Sequence, residues 1–127
     1  MGETYLLDTS ACSKYIQGLL NDETISWMKS TLLTGSFMSV VTRIELLSWV
    51  IGNRALENDI RLFITGSKVL EFSEPIILQT IRLRRQYRIK LPDAIIAATA
   101  IVNKLTLLST NDSDFTRIAE LKYKSLN

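Results

Sequence analysis

Six residues of the chain carry oxygen donors at places where packing alone does not account for them. Asp8 ends the apolar run "YLLD", Glu45 interrupts the apolar stripe of "TRIELLSWV" between Ile44 and Leu46, and Asp93 opens the apolar segment "LPDAIIAATA". Asn111, Asp112 and Asp114 follow the run "LTLLST". A carboxylate among apolar neighbours is costly unless something compensates its charge. Three or four carboxylates with no His or Cys among them make the ligand set of a hard cation such as Mg²⁺ or Mn²⁺, which prefers oxygen. Such an ion holds a phosphodiester, lowers the pKa of a bound water and stabilises the charge that develops during in-line displacement.

Each acid also has a plainer structural use. Asp8, with Thr9 and Ser10, could end a strand and cap the next helix, because side-chain oxygens there accept the unpaired N–H groups of a first turn. Asp93 suits the first turn of its helix, where a negative charge meets the positive end of the dipole and can also cap it. Glu45 could stand on a solvated face, and "NDSD" has the composition of a turn.

Composition removes several other chemistries. The 127 residues contain no histidine, which eliminates Ser-His-Asp and Cys-His catalysis, His-based zinc sites and His general acid–base nucleases. The single cysteine, Cys12, cannot form an intramolecular disulfide, which fits a reducing cytosol, and reads as a small packing residue. Asp8 as a phosphoryl-accepting nucleophile of the haloacid-dehalogenase kind would want a second Asp two residues on, where this chain has Ser10. With 15 Lys and Arg against 13 Asp and Glu, the net charge of +2 does not by itself mark a nucleic-acid binder, so any basic surface is local. The segment "RLRRQYRIK" supplies one: Arg82, Arg84, Arg85, Arg88 and Lys90 directly precede Asp93 and could contact phosphates near it. The same residues could equally form a solvated helix end whose cations suit the dipole. Lys14 and Arg43, near the first two acids, are weaker candidates.

The elements that must position these residues alternate between strand and helix. The patterning predicts strands at residues 5–7, 37–40, 68–72 and 105–110, with "LKYKSL" as a last edge strand. It predicts helices from Ala11 to Leu20, from an Asp22 cap to about Leu33, from Thr42 to Gly52, around Leu56 to Ile64, from Glu74 to Tyr87 and over "LPDAIIAATAIVNK", with a short helix after "NDSDF". In the Thr42 helix the apolar stripe is Ile44, Leu47, Val50 and Ile51; the Asp93 helix is apolar on nearly every side and is expected at the centre of the fold. The alternation implies one α/β domain over 1–127 with a largely parallel sheet, whose ligands bind at the carboxyl ends of the strands. Asp8 and the Asn111–Asp114 cluster fall there. Glu3 and Asp8 interrupt any secretory pattern at the start, and no apolar run approaches the roughly 20 residues of a membrane span, so a cytoplasmic protein is expected.

In order and separation, "YLLDTS", "TRIELL", "LPDAIIAATA" and "LLSTNDSDF" resemble the four acidic motifs of the PIN-domain family, particularly the VapC-type toxin ribonucleases, from Tyr5 to Phe115. The resemblance implies a PIN-like three-layer α/β fold, its mainly parallel central sheet flanked by helices. It also implies a metal-dependent endoribonuclease using Mg²⁺ or Mn²⁺, the toxin of a type II toxin–antitoxin pair. Carried over residue by residue, Asp8, Glu45 and Asp93 match the first three acids. Asn111, Asp112 and Asp114 compete for the fourth place; Asp112 is favoured, with Asp114 next and included in the ligand set. Thr9 matches a hydroxyl that supports the site, and Ser109, Thr110 and Asn111 would act similarly. The implied partners are an RNA substrate, a cognate antitoxin protein and a second copy of the chain in a dimer. The alternative is a PIN-like nucleic-acid-binding module with little or no turnover.

Overall fold

The computed structural model describes residues 3–127. Among them, five strands alternate with seven helices. The strands are β1 (Tyr5–Leu7), β2 (Phe37–Ser39), β3 (Lys68–Leu70), β4 (Thr106–Ser109) and β5 (Tyr123–Ser125). The helices are α1 (Thr9–Ile16), α2 (Asp22–Thr31), α3 (Val40–Ser48), α4 (Arg54–Thr65), α5 (Glu74–Gln86), α6 (Leu91–Val102) and α7 (Asp112–Phe115). The strands form one sheet in the order β3-β2-β1-β4-β5, every neighbouring pair parallel.

A parallel sheet is buried on both faces, so its strands can be apolar at successive residues. The two-residue period then decides which side chain goes where. Leu6 and Leu107 face a core built with Ile76, Leu83 and Phe115 and with the alanines of α6. Leu7 and Leu108 face the opposite core with Ala11, Cys12, Met28 and Ile60, from α1, α2 and α4. This is the three-layer α/β arrangement the motifs implied. The expectation for α6 also holds, since Ala94 through Ala100 are all buried. Cys12 is a buried packing residue whose thiol burial pushes well above its usual pKa.

Several boundaries differ from the sequence pattern, for local reasons. Asp8 caps α1, so that helix starts at Thr9, before the expected Ala11, and ends at Ile16. Asn21, where the pattern predicts Asp22, takes the cap of α2, accepting from Thr24 N at 2.8 Å. The helix passes into a 3-10 turn at Leu32–Thr34, and Gly35, at φ +105°, makes the bend a side chain would resist. Ser39 accepts from Val41 N and ends β2 one residue early, so Val40 begins α3.

The larger difference is in the face of α3. Ile44, Leu47 and Val50, expected on its inner stripe, are 55%, 49% and 99% exposed, while Thr42 and Leu46 are buried. The inward face is the one that carries Thr42, Glu45 and Leu46, at helical spacing. The polar pair on that face is explained by the site it enters.

After β1 the chain builds outward through β2 to β3, then crosses back to lay β4 on the other side of β1. The connections therefore leave β1 and β4 in opposite senses, and a crevice opens beyond their carboxyl ends. Asp8 directly follows β1, Thr110 and Asn111 follow β4, and α6 places its first turn at the same end of the sheet as α3.

Candidate active site

Beyond the carboxyl ends of β1 and β4 lies a cleft of about 370 Å³ lined by Asp8, Glu45 and Asp93, with Thr9, Ser10, Ser13, Lys14, Trp49, Ile96 and Asn111. Three acids far apart in sequence are thus brought to one concave surface.

Asp8 is delivered by the rigid end of β1 and held there by three donors. Its Oδ1 accepts from Ala11 N at 2.8 Å, which is the helix cap, while its Oδ2 accepts from the Ser109 hydroxyl at 2.5 Å and the Ser10 hydroxyl reaches both oxygens at 3.0 and 3.2 Å. The capping use and the site use therefore coincide in one carboxylate. Burial pushes the Asp8 pKa upward, the donors from Ser109, Ala11 and Ser10 oppose that, and Glu45 adds to it.

Glu45 is half-buried on α3, and the Thr9 hydroxyl donates to its Oε1 at 2.5 Å. That hydroxyl also lies 3.2 Å from the oxygen of Thr42, which is fully buried one turn before Glu45. This hydroxyl pair fixes the Glu45 side chain toward the cleft.

Asp93 stands in the first turn of α6 without capping it; the cap position is Lys90, and no side chain bonds the free N–H groups there. Its pKa is raised from the ordinary 3.8 to about 6, first by burial and then by the charges of Asp114, Asp8 and Glu45, with Lys90 opposing. Four carboxylates therefore feel one another around the cleft. Among the described residues, Asp8, Glu45 and Asp93 have no ion-pair partner, and as the side chains stand no three acids are gathered into a ready-made metal cage.

The two acids that compete for the fourth place are held differently. Asp112 is committed elsewhere: its carboxylate accepts from the Tyr123 hydroxyl, from Ser125 Oγ at 2.9 Å and from Asn127 Nδ2 at 3.0 Å, and these bonds hold its pKa below the usual range. It ties α7 to β5 and the residues after it. Asp114 instead accepts from Asn111 Nδ2 at 2.8 Å, Asn111 lines the cleft, and the charge of Asp114 is the largest of the acidic charges that raise the Asp93 pKa. Arg117 lies 3.8 Å from its other oxygen.

The hydroxyls divide in the same way. Ser109 bonds Asp8 directly, whereas Thr110 lies 3.2 Å from Ser10 and accepts from Lys14 Nζ at 3.0 Å. Lys14, a weaker candidate in the sequence, is a cation that does line the cleft. Arg82, Arg84, Arg85, Arg88 and Lys90 do not line it. Arg82 donates to Gln79, Arg84 to the Ile89 carbonyl, and Arg82 and Arg85 border a separate groove with Leu78 and Ile81. Lys90 comes nearest, through its charge on Asp93. Sequence reasoning missed Thr42, Trp49 and the bonds of Tyr123 to the fourth motif. The one signal for Thr42 was a hydroxyl one turn before Glu45 in "TRIE".

The family model for the PIN domain matches residues 5–121. No curated protein matches the chain at a significant level. Among solved structures, VapBC2 from Rickettsia felis, bound to a DNA fragment from its promoter, aligns with TM-score 0.82 at 22% identity over 96% of this chain and 98% of that one. A toxin–antitoxin complex from Klebsiella pneumoniae aligns with TM-score 0.79 at 23% identity over 98% of both chains. VapBC-1 from nontypeable Haemophilus influenzae aligns with TM-score 0.79 at 26% identity over 97% and 98%. With residues 5–121 under one family model and the same overall fold in these structures, the chain belongs to the PIN-domain family.

Proposed function

We propose that the protein is a metal-dependent endoribonuclease of the VapC type, a cytoplasmic toxin restrained by a cognate antitoxin. The observation that carries this is the convergence of Asp8, Glu45 and Asp93 on one cleft, with Asp93 pushed up to about 6 by burial and by its acidic neighbours. Concentrated negative charge with oxygen donors alone, and no cation paired to the three acids among the described residues, suits a hard divalent ion. Asp8, Glu45, Asp93 and Asp114 are the residues that would hold Mg²⁺ or Mn²⁺, in preference to Asp112. When bound, the ion supplies a Lewis acid for the phosphodiester and a water of lowered pKa.

The chain's own groups do the rest. Ser109, Ser10 and the Ala11 N–H fix the Asp8 carboxylate, Thr9 fixes Glu45, and Asn111 fixes Asp114, so the donors meet a substrate phosphate already oriented. Lys14, on the wall of the same cleft, offers a positive charge to a backbone phosphate.

An antitoxin partner is supported by the similar solved structures, one a toxin–antitoxin complex and two VapBC. It is also supported by the exposed apolar residues Ile44 and Leu47 of α3 and Val50 just beyond its end, since contiguous exposed apolar surface marks an interaction site. A dimer of the chain is part of the same proposal. The test is incubation of the purified protein with a panel of structured and single-stranded RNA in Mg²⁺, Mn²⁺ or EDTA. Cutting with metal and none in EDTA is the expected result. Intact RNA throughout, from a protein that still takes up Mn²⁺, would overturn the nuclease and leave a nucleic-acid-binding module.

A further inference from the structure

Trp49 lines the acid cleft alongside Asp8, Glu45 and Asp93 and is 41% exposed. It sits at the end of α3, where the backbone turns extended, so the indole stands at the rim of the cleft. The contrast with Trp27 is instructive. Trp27 packs edge-on against Tyr5 at 5.4 Å and lies under Lys124 at 4.7 Å, a structural aromatic with both partners supplied by the fold. Among the described residues Trp49 has no aromatic or cationic partner of that kind.

We infer that Trp49 is a stacking platform for an unpaired nucleobase adjoining the phosphate that the acids address. The inference rests on the nuclease reading above and narrows it. Bases in single strands and loops can be splayed out and stacked on an aromatic side chain, whereas those of a duplex are already stacked. Lys14 lines the same cleft of about 370 Å³ as Trp49. Lys14 and Trp49 then serve the two halves of a nucleotide, the ammonium its phosphate and the ring its base. The neighbouring apolar residues Leu47 and Val50 border a different cavity, which Trp49 also touches, and this makes a protein partner the competing occupant of the indole.

The test uses the full chain carrying Trp27→Phe, which leaves Trp49 as its one tryptophan, and Asp93→Asn, which prevents turnover. Its emission is followed in Mg²⁺ during titration with a short random-sequence single-stranded RNA or the same RNA annealed to its complement, while fluorescence anisotropy of labelled RNA reports binding independently. Saturable quenching by the single strand and not the duplex is expected. Trp49→Leu is expected to weaken single-strand binding about tenfold, and Trp49→Phe, which keeps a π face, to hold it within about threefold of the parent, in line with the worth of one base–aromatic stack. Binding by anisotropy with unchanged emission and equal affinities in all three chains would overturn the inference while leaving the nuclease standing. Emission that responds to a bound protein partner and not to RNA would overturn it and assign the indole to the apolar surface. No binding of either RNA by any chain would remove the nuclease reading and this inference together.

Discussion

At the scale of single residues, hydrogen bonding separates the two acids of the fourth motif. Asp112 spends its carboxylate on Tyr123, Ser125 and Asn127, whereas Asp114 is turned through Asn111 to the cleft. Asp114→Asn is therefore expected to lower RNA cleavage by at least about 100-fold with little change in melting, the upper end of what removing a metal-site partner costs. Asp112→Asn is expected to do the opposite, lowering the melting temperature while activity below it stays within about tenfold; cleavage rates and thermal melts of the two variants read this directly. Thr9→Val, which frees Glu45, is expected to lose about 10- to 100-fold in rate or metal affinity with the fold intact. Asp93 makes a pH prediction. Its pKa of about 6 lies above the ordinary 3.8, so the folded chain holds that proton more tightly than the unfolded chain does. The stability of the metal-free protein is then expected to fall as pH rises from about 4 through 6. In EDTA at pH 7, Asp93→Asn should melt higher than the wild type. The full shift would correspond to about 3 kcal/mol, and partial exposure of the carboxylate reduces that to about 1 kcal/mol. The three leading acids were legible in the sequence because a charge inside an apolar pattern has to be explained. The choice between Asp112 and Asp114 was not, because it depends on Tyr123 and Asn127, brought alongside only when β5 pairs with β4.

At the scale of elements, the short helix α7 carries Asp114, the acid proposed for the fourth place, and Phe115 anchors it. That ring is fully buried and packs 5.9 Å from the Tyr123 ring. Phe115→Ala is expected to cost about 3–5 kcal/mol in denaturant unfolding, the usual range for emptying such a site. It should also depress cleavage more than an equally destabilising change remote from α7, because Asp114 is its neighbour. The strand and helix alternation was readable because periods of two and 3.6 residues differ clearly, and the all-apolar α6 identified itself as central. The face of α3 was not readable. Ile44, Leu47 and Val50 form as regular a stripe as Thr42, Glu45 and Leu46, and composition favours the former. What selects the polar side is the pairing of Thr9 with Thr42 and Glu45 across 33 and 36 residues, a tertiary contact invisible to a local pattern.

At the scale of the whole molecule, the sheet order places the carboxyl ends of β1 and β4 side by side, so Asp8 at the end of β1 and acids from α3 and α6 line one cleft without a dedicated binding loop, with Asp114 of α7 close enough for Asp93 to feel its charge. Their mutual repulsion is a cost that a divalent ion would relieve, and the folded chain should accordingly gain stability from one. Excess Mn²⁺ is expected to raise the melting temperature at pH 8 and to raise it far less at pH 5, where Asp93 is protonated, because an ion that binds only the folded state stabilises it by mass action. The most direct test of the central claim compares RNA cleavage by the wild type and by purified, folded Asp93→Asn, side by side with Mn²⁺ or EDTA. The account expects cutting by the wild type in Mn²⁺, none in EDTA, and a loss of more than about 100-fold in the variant. Equal rates in the two proteins would place the chemistry elsewhere and contradict it.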